Sequence, residues 1–201
     1  MQRLTVIVIL AMLFLAACGN DYKLQPLTDD AVILAFGDSL TYGTGASKAT
    51  SYPSVLADLT GLRVVNEGVA GEQTAQGLAR LPSVLAEYQP DLVILCHGGN
   101  DILRRKSKDQ ARQNLEAMIG LIETSGAQVV LLGVPDFGLF LAAAEFINKA
   151  VENTKVAYIQ DLLPDLQGDN SIKSDTVHFN AEGYAQLAQG IHQSLQDFGG
   201  L

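Results

Sequence analysis

After residue 30, short apolar runs alternate with longer stretches in which apolar positions recur every three or four residues. Unbroken apolar runs are typical of strands buried on both faces, and the longer spacing is typical of helices that cover a sheet. Parallel strands need such helices as crossovers. The pattern therefore predicts an α/β fold, a three-layer α/β/α sandwich around a five-stranded parallel sheet. The predicted strands are residues 31–36, 62–65, 92–96, 129–134 and 156–159.

Helical periodicity is clearest in two segments between and after these strands. Their apolar stripes are Ala111, Leu115, Met118, Ile119 and Ile122, and Tyr184, Leu187, Ala188, Ile191 and Leu195. A third helical stretch, 74–88, contains Pro82, which predicts an interruption with a second short helix beginning there. Neither repeats nor linkers divide residues 31–201, so one domain is expected.

Polar, glycine-rich segments follow the first three predicted strands, and another follows the connection after the fifth strand. In an open α/β sheet, ligands bind beyond the carboxyl ends of the strands, so these segments are expected on one rim. Their functional groups are a hydroxyl, glycine amides, a carboxamide, an imidazole and a carboxylate, which is the set that acyl transfer requires. The segments are Gly37-Asp38-Ser39-Leu40, residues 66–71, Gly98-Gly99-Asn100-Asp101 and Asp175-Thr176-Val177-His178.

Five residues of these segments have complementary chemical roles. A serine hydroxyl attacks a carbonyl only when a base takes its proton, and His178 is the candidate base for Ser39. Asp175, three residues earlier, is the candidate acceptor for the other ring nitrogen. The amides of Ser39 and Gly71 and the carboxamide of Asn100 are candidate donors to the oxyanion. Alone, each residue is better explained as a cap, a turn or a surface charge; together they favour catalysis, which here needs no metal or cofactor.

These blocks resemble those of the GDSL, or SGNH, hydrolases. Gly37-Asp38-Ser39-Leu40 resembles the first block of that family, Gly71 the second, the run ending at Asp101 the third and the run ending at His178 the last. The ordered set is more specific than any one block. The resemblance implies a flavodoxin-like sandwich with the roles assigned above. It also favours the branch of bacterial arylesterases, thioesterases and lysophospholipases, partly through the run from Gly77 to Pro82.

The segment after the fourth predicted strand, 135–141, is unusually apolar for a strand-to-helix connection. One hypothesis is that Phe137, Leu139 and Phe140 line an acyl groove that prefers medium chains to acetate, as the corresponding loop does in thioesterase-like relatives; the other is simple packing into the core. His97 has no assigned chemistry, and a supporting hydrogen bond is favoured over contact with the acyl pocket.

Three other functions are compatible with the sequence alone. The same machinery could remove acetyl groups from a carbohydrate or from peptidoglycan. Residues 39–45 could instead cradle a phosphate, because flavodoxin-like folds also bind FMN, although Asp175 and His178 would then have no purpose and the chain contains no Trp. The third is an inactive lipoprotein that keeps the fold.

The first residues have the layout of an export signal. Arg3 precedes an apolar run of 14 residues, 4–17, which is too short for a spanning helix of roughly 20 residues. Leu15-Ala16-Ala17-Cys18 resembles a bacterial lipobox, in which the cysteine is acylated. The predicted organisation is a signal peptide at 1–17, a lipidated Cys18 with a tether at 18–30, and the hydrolase domain at 31–201. Localisation is then expected on a bacterial membrane, facing the periplasm or the exterior.

The negative net charge of the chain limits the classes of binding partner that are expected. Formal net charge is −9, and it becomes −10 when residues 1–17, whose only charged side chain is Arg3, are removed. Such a domain is not expected to bind nucleic acid or to dock on anionic lipid by charge, so membrane attachment would come from the acyl chains. Cys96 would be the remaining thiol of the mature protein, which excludes an internal disulfide and a cysteine-pair metal site.

Overall fold

The structure, a computed structural model, describes residues 22–136, 141–152, 154 and 156–201. Its centre is a sheet of five parallel strands in the order β2-β1-β3-β4-β5, which confirms the predicted architecture. The order places the first and third strands of the chain side by side at the middle of the sheet. The strands are β1 (Val32–Gly37), β2 (Arg63–Gly68), β3 (Leu92–Cys96), β4 (Gln128–Leu132) and β5 (Ala157–Ile159).

Two groups of helices cover the sheet: α2 and α7 pack against α8, while α5 packs against both α3 and α6. The two apolar stripes predicted from the sequence are buried in α5 and α8. The helices are α1 (Ser39–Tyr42), α2 (Tyr52–Thr60), α3 (Thr74–Tyr88), α4 (Gly99–Leu103), α5 (Lys108–Thr124), α6 (Glu145–Val151), α7 (Leu162–Gln167) and α8 (Ala181–Asp197).

Burial differs between the centre and the edge of the sheet. Every residue of β3 is buried, as expected for a strand with neighbours on both sides and helices on both faces. Strand β2 was predicted as a buried strand, but all its residues are half-buried or exposed, since it lies at one of the two edges of the sheet and contains Arg63, Asn66 and Glu67. It also extends three residues further than predicted, to Gly68. Those extra residues bring the chain towards the carboxyl rim.

The predicted break at Pro82 is wrong, because α3 is continuous from Thr74 to Tyr88. Proline within a helix costs about 3 kcal/mol through the lost amide donor and the steric clash. Leu81, Val84 and Leu85 flank the proline, and all three are buried in the core. Burial of one such side chain contributes roughly 1.5–3 kcal/mol, so packing on both sides of Pro82 outweighs its cost.

The segment before β1 packs on the domain, which differs from the tether predicted for 18–30. Leu24 is buried, and its amide donates to Phe198 O at 2.9 Å. The amide of Gln25 donates to the side chain of Gln128, the first residue of β4, at 2.6 Å. The part of the prediction that concerns residues 1–21, including Cys18, lies outside the described residues. Within the described ranges, no helix is long and apolar enough to cross a membrane.

Candidate active site

Ser39 begins α1 directly after the sharp turn that ends β1. Asp38 caps this helix, since its Oδ1 accepts the amide of Leu40 at 3.1 Å. Gly37, the last residue of β1, has no room for a side chain, because a Cβ there would overlap Thr41 Oγ1 and the carbonyl of Cys96. The tight packing of this glycine lets the strand turn into a helix within one residue, which leaves Ser39 at the carboxyl rim.

The structure brings Ser39, His178 and Asp175 into one hydrogen-bonded series. Ser39 Oγ lies 2.9 Å from His178 Nε2, although 139 positions separate the two residues in the chain. His178 Nδ1 lies 2.8 Å from Asp175 Oδ2. With Nδ1 protonated and donating to the carboxylate, Nε2 carries the lone pair that faces the serine hydroxyl. This tautomer is the one that can accept a proton from Ser39.

Asp175 is held by its own segment of chain. Its Oδ1 accepts the amides of Val177 and His178 at 2.8 and 2.7 Å, while Oδ2 faces the imidazole. Partial burial raises the pKa of Asp175, but the hydrogen bonds from the His178 ring and from the two amides outweigh it and lower the pKa to about 2. The carboxyl group is therefore ionised at any pH near neutrality. Phe179, fully buried, fixes the segment to the core.

Asn100 and Gly71, the other two candidate oxyanion donors, belong to α4 and to the connection between β2 and α3. Asn100, near the start of α4, donates through Nδ2 to Asp38 Oδ2 at 3.2 Å, which places its carboxamide beside the residue that precedes Ser39. Burial raises the pKa of Asp38, while His97, the amide of Leu40 and Asn100 lower it. Gly71 has φ +78°, a left-handed conformation that favours glycine, and lies in the connection between β2 and α3.

A half-buried network that includes Glu72, the residue after Gly71, was not predicted from the sequence. The guanidinium of Arg80 donates from Nε and Nη2 to the two oxygens of Glu72 at 2.7 and 2.9 Å. It also donates to the carboxylate of Glu67 at 3.1 Å. Burial raises the pKa of Glu72, but the contacts with His97 and Arg80 outweigh it and lower that pKa overall. The run from Gly77 to Pro82 contains Arg80, but nothing local in the sequence indicates its partners.

His97 is completely buried beside this network. Its Nε2 lies 3.2 Å from Glu72 Oε2, an ion-pair distance that is not aligned as a hydrogen bond, and its ring centroid is 5.5 Å from that of Phe36. Among the described residues, Nδ1 has no hydrogen-bond partner. The supporting hydrogen bond expected for His97 is therefore replaced by a close electrostatic contact with Glu72.

A second buried cluster connects the third block to α3. Asp101 accepts the amide and the hydroxyl of Thr74 at 2.9 and 2.8 Å. The carboxamide of Asn114, on α5, donates to the same hydroxyl at 3.0 Å. All three residues are buried, so the cluster fixes the start of α4, where Asn100 lies, to the start of α3, which follows Gly71. Arg104, one turn after Asn100, approaches the open side of Gly71, since its Nη2 lies 3.2 Å from where a Cβ would be.

Some of the predicted site residues lie outside the part of the chain that the structure describes. Phe137, Leu139 and Phe140, the candidate acyl-groove residues, lie in 137–140, outside the described residues, as does Cys18. Within the described ranges, no group of three metal-ligating side chains occurs.

A parallel α/β sheet that carries serine, histidine and carboxylate in hydrogen-bonded succession at its carboxyl rim defines a class, the serine hydrolases. Comparison with known proteins places the chain within that class. Residues 35–186 match the GDSL-like Lipase/Acylhydrolase family. The chain therefore belongs to this family, as its sequence blocks indicate.

Several relatives support the assignment. Esterase TesA of Pseudomonas aeruginosa is 31% identical over 195 residues, which cover 92% of this chain and 97% of TesA. Thioesterase 1/protease 1/lysophospholipase L1 of Escherichia coli K12 is 35% identical over 104 residues, 51% of this chain and 50% of that protein. A crystal structure of TesA superposes with a TM-score of 0.75 at 28% identity, covering 83% of this chain and 99% of the other. The chain is a serine hydrolase acting on ester bonds.

Proposed function

We propose that Ser39 attacks the carbonyl carbon of an acyl ester while His178 Nε2 takes the hydroxyl proton. The carbonyl electron pair moves onto oxygen and forms a tetrahedral oxyanion. When the carbonyl re-forms, the bond to the leaving group breaks, and His178 gives its proton to the departing alcohol or thiol. The acyl group is then esterified to Ser39. Water, deprotonated by His178, attacks this ester, and the second tetrahedral intermediate collapses as His178 returns the proton to Ser39 Oγ, which releases the acid and free Ser39.

Asp175 supports each of these proton transfers without changing its own charge. Its low pKa keeps it ionised throughout the cycle, so it stabilises the imidazolium that forms on His178 and fixes the tautomer of the resting enzyme. The amides of Ser39 and Gly71 and the carboxamide of Asn100 are the donors to the oxyanion. Asn100 retains a second N–H for this role, because only one of its two amide hydrogens is needed by Asp38.

The observation that carries the proposal is the series Asp175, His178, Ser39, with separations of 2.8 and 2.9 Å. Labelling with a fluorophosphonate probe tests it, because the probe reacts with a serine only when a base and an oxyanion site activate it. We expect wild-type protein to be labelled and Ser39→Ala to remain unlabelled. Ser83→Ala, which removes an exposed hydroxyl from α3, is the matched control and should label as wild type. Equal labelling of wild type and Ser39→Ala would refute the proposal.

For the substrate, we propose carboxylic esters and thioesters with medium acyl chains, including lysophospholipids. The apolar segment 135–141 supports a groove, and the name of the Escherichia coli relative combines thioesterase with lysophospholipase. Rates of hydrolysis of acetyl, octanoyl and palmitoyl aryl esters separate this proposal from the deacetylase hypothesis. A preference for octanoyl supports the groove, and loss of that preference in Phe140→Ala would assign it to 137–140. A clear preference for acetate would favour the deacetylase instead.

Binding of FMN is not retained as a function. A phosphate held at the start of α1 would face the buried carboxylate of Asp38, and α1 has only four residues to supply a dipole. The hydroxyl of Ser39 is also engaged by His178, which has no role in an FMN site.

We further propose export and acylation at Cys18, on the strength of the lipobox-like run 15–18. Gln25 is bonded to Gln128 at the amino end of β4, whereas Ser39 follows the carboxyl end of β1. An anchor at Cys18 would therefore attach the domain through the rim at the amino ends of the strands, whereas Ser39 lies at the carboxyl rim. The site would then face away from the anchoring membrane. Metabolic labelling with an alkynyl palmitate tests the acylation, with Cys18→Ser as control. Equal label on both proteins would contradict it.

A further inference from the structure

Arg80 is not one of the residues that carry out acyl transfer, yet it contacts the two segments that contain Gly71 and Ser39, the proposed amide donors. From its contacts we infer that Arg80 is a positioning residue, which holds the Gly71 loop in register with the strand that presents Ser39. This inference rests on the function proposed above and adds a residue to the same site.

Arg80 binds the loop that contains Gly71 through the next residue, Glu72. Glu72 directly follows Gly71, and Arg80 binds the Glu72 carboxylate through two parallel hydrogen bonds, from Nε at 2.7 Å and Nη2 at 2.9 Å. This bidentate geometry fixes orientation as well as distance, because both planar groups must be coplanar. Arg80 lies in the middle of α3, a helix of 15 residues, so the loop is held by a rigid element.

Arg80 also contacts the ends of strands β1 and β2. Nη2 of Arg80 also donates to the carbonyl of Glu67, in β2, at 2.6 Å and approaches the carbonyl of Gly37, the last residue of β1, at 3.5 Å. The guanidinium carbon lies 4.0 Å from the ring centroid of Phe36, the residue before Gly37. A single planar group thus contacts the ends of two adjacent strands as well as the loop.

The ion pair between Arg80 and Glu72 adds little to the stability of the fold. Glu72 is buried, and the Arg80 side chain is 21% exposed, so forming the pair requires both charges to lose most of their water. Buried ion pairs add little net stability, because desolvation offsets most of the attraction. Glycine at position 77 destabilises α3 by about 1 kcal/mol relative to alanine. A Cβ there would lie 2.7 Å from His97 Nε2, so Gly77 makes room for the imidazole that contacts Glu72. An arrangement with so little stabilising value fits a positioning role.

The experiment compares Arg80→Ala with Arg112→Ala. Arg112, on α5, has a side chain 28% exposed and an ion pair with Glu116 at 2.6 Å, so it matches Arg80 in residue type, exposure and pairing but belongs to another part of the fold. Steady-state kinetics with an octanoyl aryl ester and inhibition by an alkylboronic acid, which forms a tetrahedral adduct with serine, are the readouts.

For Arg80→Ala we expect kcat to fall by about 10- to 100-fold, since loss of one oxyanion donor outright costs about 10²–10³. KM should change by less than about threefold, and the boronic acid should bind more weakly by the same factor as kcat, because both need the oxyanion site. Methylguanidinium in the buffer should restore part of kcat in Arg80→Ala, and Arg112→Ala should behave as wild type. If Arg80→Ala does not fold, Arg80→Lys and Glu72→Gln, which keep side chains of similar length, must show the same loss of kcat.

A loss of kcat that is explained by partial unfolding at the assay temperature, occurs equally in Arg112→Ala, or leaves boronic acid affinity unchanged would overturn the inference, as would wild-type kcat in every Arg80 and Glu72 variant that folds. Failure of the proposed function looks different. In that case wild-type protein itself shows no activity or labelling that depends on Ser39.

Discussion

The two sides of the active site are held in place by different means. On the histidine side, Asp175 and His178 are three residues apart, and the bonds that orient them come from the same short segment. The Asp175 side chain is 53% exposed. On the proposed oxyanion side, contacts join residues that are far apart in the chain, and most of their side chains are buried: Thr74 and Asp101 both are, and Asp38 is buried against half-buried Asn100.

This difference separates activity from stability. A change on the histidine side removes a chemical group but leaves the core intact, because its contacts are local and partly exposed. A change on the oxyanion side removes a donor and also leaves a buried polar partner without its hydrogen bond, which costs about 1–3 kcal/mol. Variants on the two sides should therefore have different signatures.

The largest effect is expected on the histidine side. His178→Asn keeps a polar side chain but removes the base that faces Ser39 at 2.9 Å, so kcat should fall by about 10⁴-fold or more. The urea midpoint should stay close to that of wild type. His192→Asn, on α8, is the matched control and should leave kcat unchanged. Residual kcat within tenfold of wild type would remove His178 from the mechanism.

Asn100→Ala is the counterpart on the oxyanion side. We expect kcat to fall by about 10²–10³-fold through the lost donor. The buried Asp38 carboxylate loses a hydrogen bond at the same time, so the free energy of unfolding should fall by about 1–3 kcal/mol. Kinetics and urea denaturation on the same preparation check both effects. A fall in kcat with unchanged stability would show that the two sides do not differ in the way described.

Thr74→Val tests the buried cluster alone. Valine matches the shape of threonine but cannot donate to Asp101 or accept from Asn114, so we expect a loss of about 2 kcal/mol in the free energy of unfolding. Thr124→Val is the control, because the Thr124 hydroxyl lies on the exposed end of α5 and, within the part of the chain that the structure describes, bonds to the Gly120 carbonyl alone. Equal changes in urea midpoint for both variants would contradict the special weight given to the cluster.

The smallest effect is a pH dependence from Asp175. Its pKa of about 2 lies below the ordinary value of 3.8, so its contribution to stability is present above about pH 4 and is lost as the pH falls towards 2. Because the side chain is half exposed, solvent screening keeps the contribution small. Asp175→Asn should be less stable than wild type at pH 6, and the difference should shrink at pH 3. Urea midpoints that differ equally at both values would disprove this linkage.

Where sequence reasoning succeeded, the signal was short in range. Apolar runs predicted β1, β3, β4 and β5, because strands that are mostly buried must be mostly apolar, whereas the run that predicted β2, 62–65, already contains Arg63. Burial at β2 was overestimated, because being at an edge depends on strand order and not on local composition. Pro82 was misjudged for a related reason: its local cost is readable, but the burial of Leu81, Val84 and Leu85 that outweighs it depends on what α3 packs against.

The same division holds within the site. From the chain alone came the residue types that acyl transfer needs, their order after successive strands, and the pairing of Asp175 with His178, because three residues of chain bring them together whatever the rest of the fold does. Tertiary structure decided that Ser39 meets His178 across 139 positions, and that Arg80 and His97 converge on Glu72 behind Gly71. Such contacts depend on the packing of α3 against the ends of β1 and β2, and no local pattern encodes that packing.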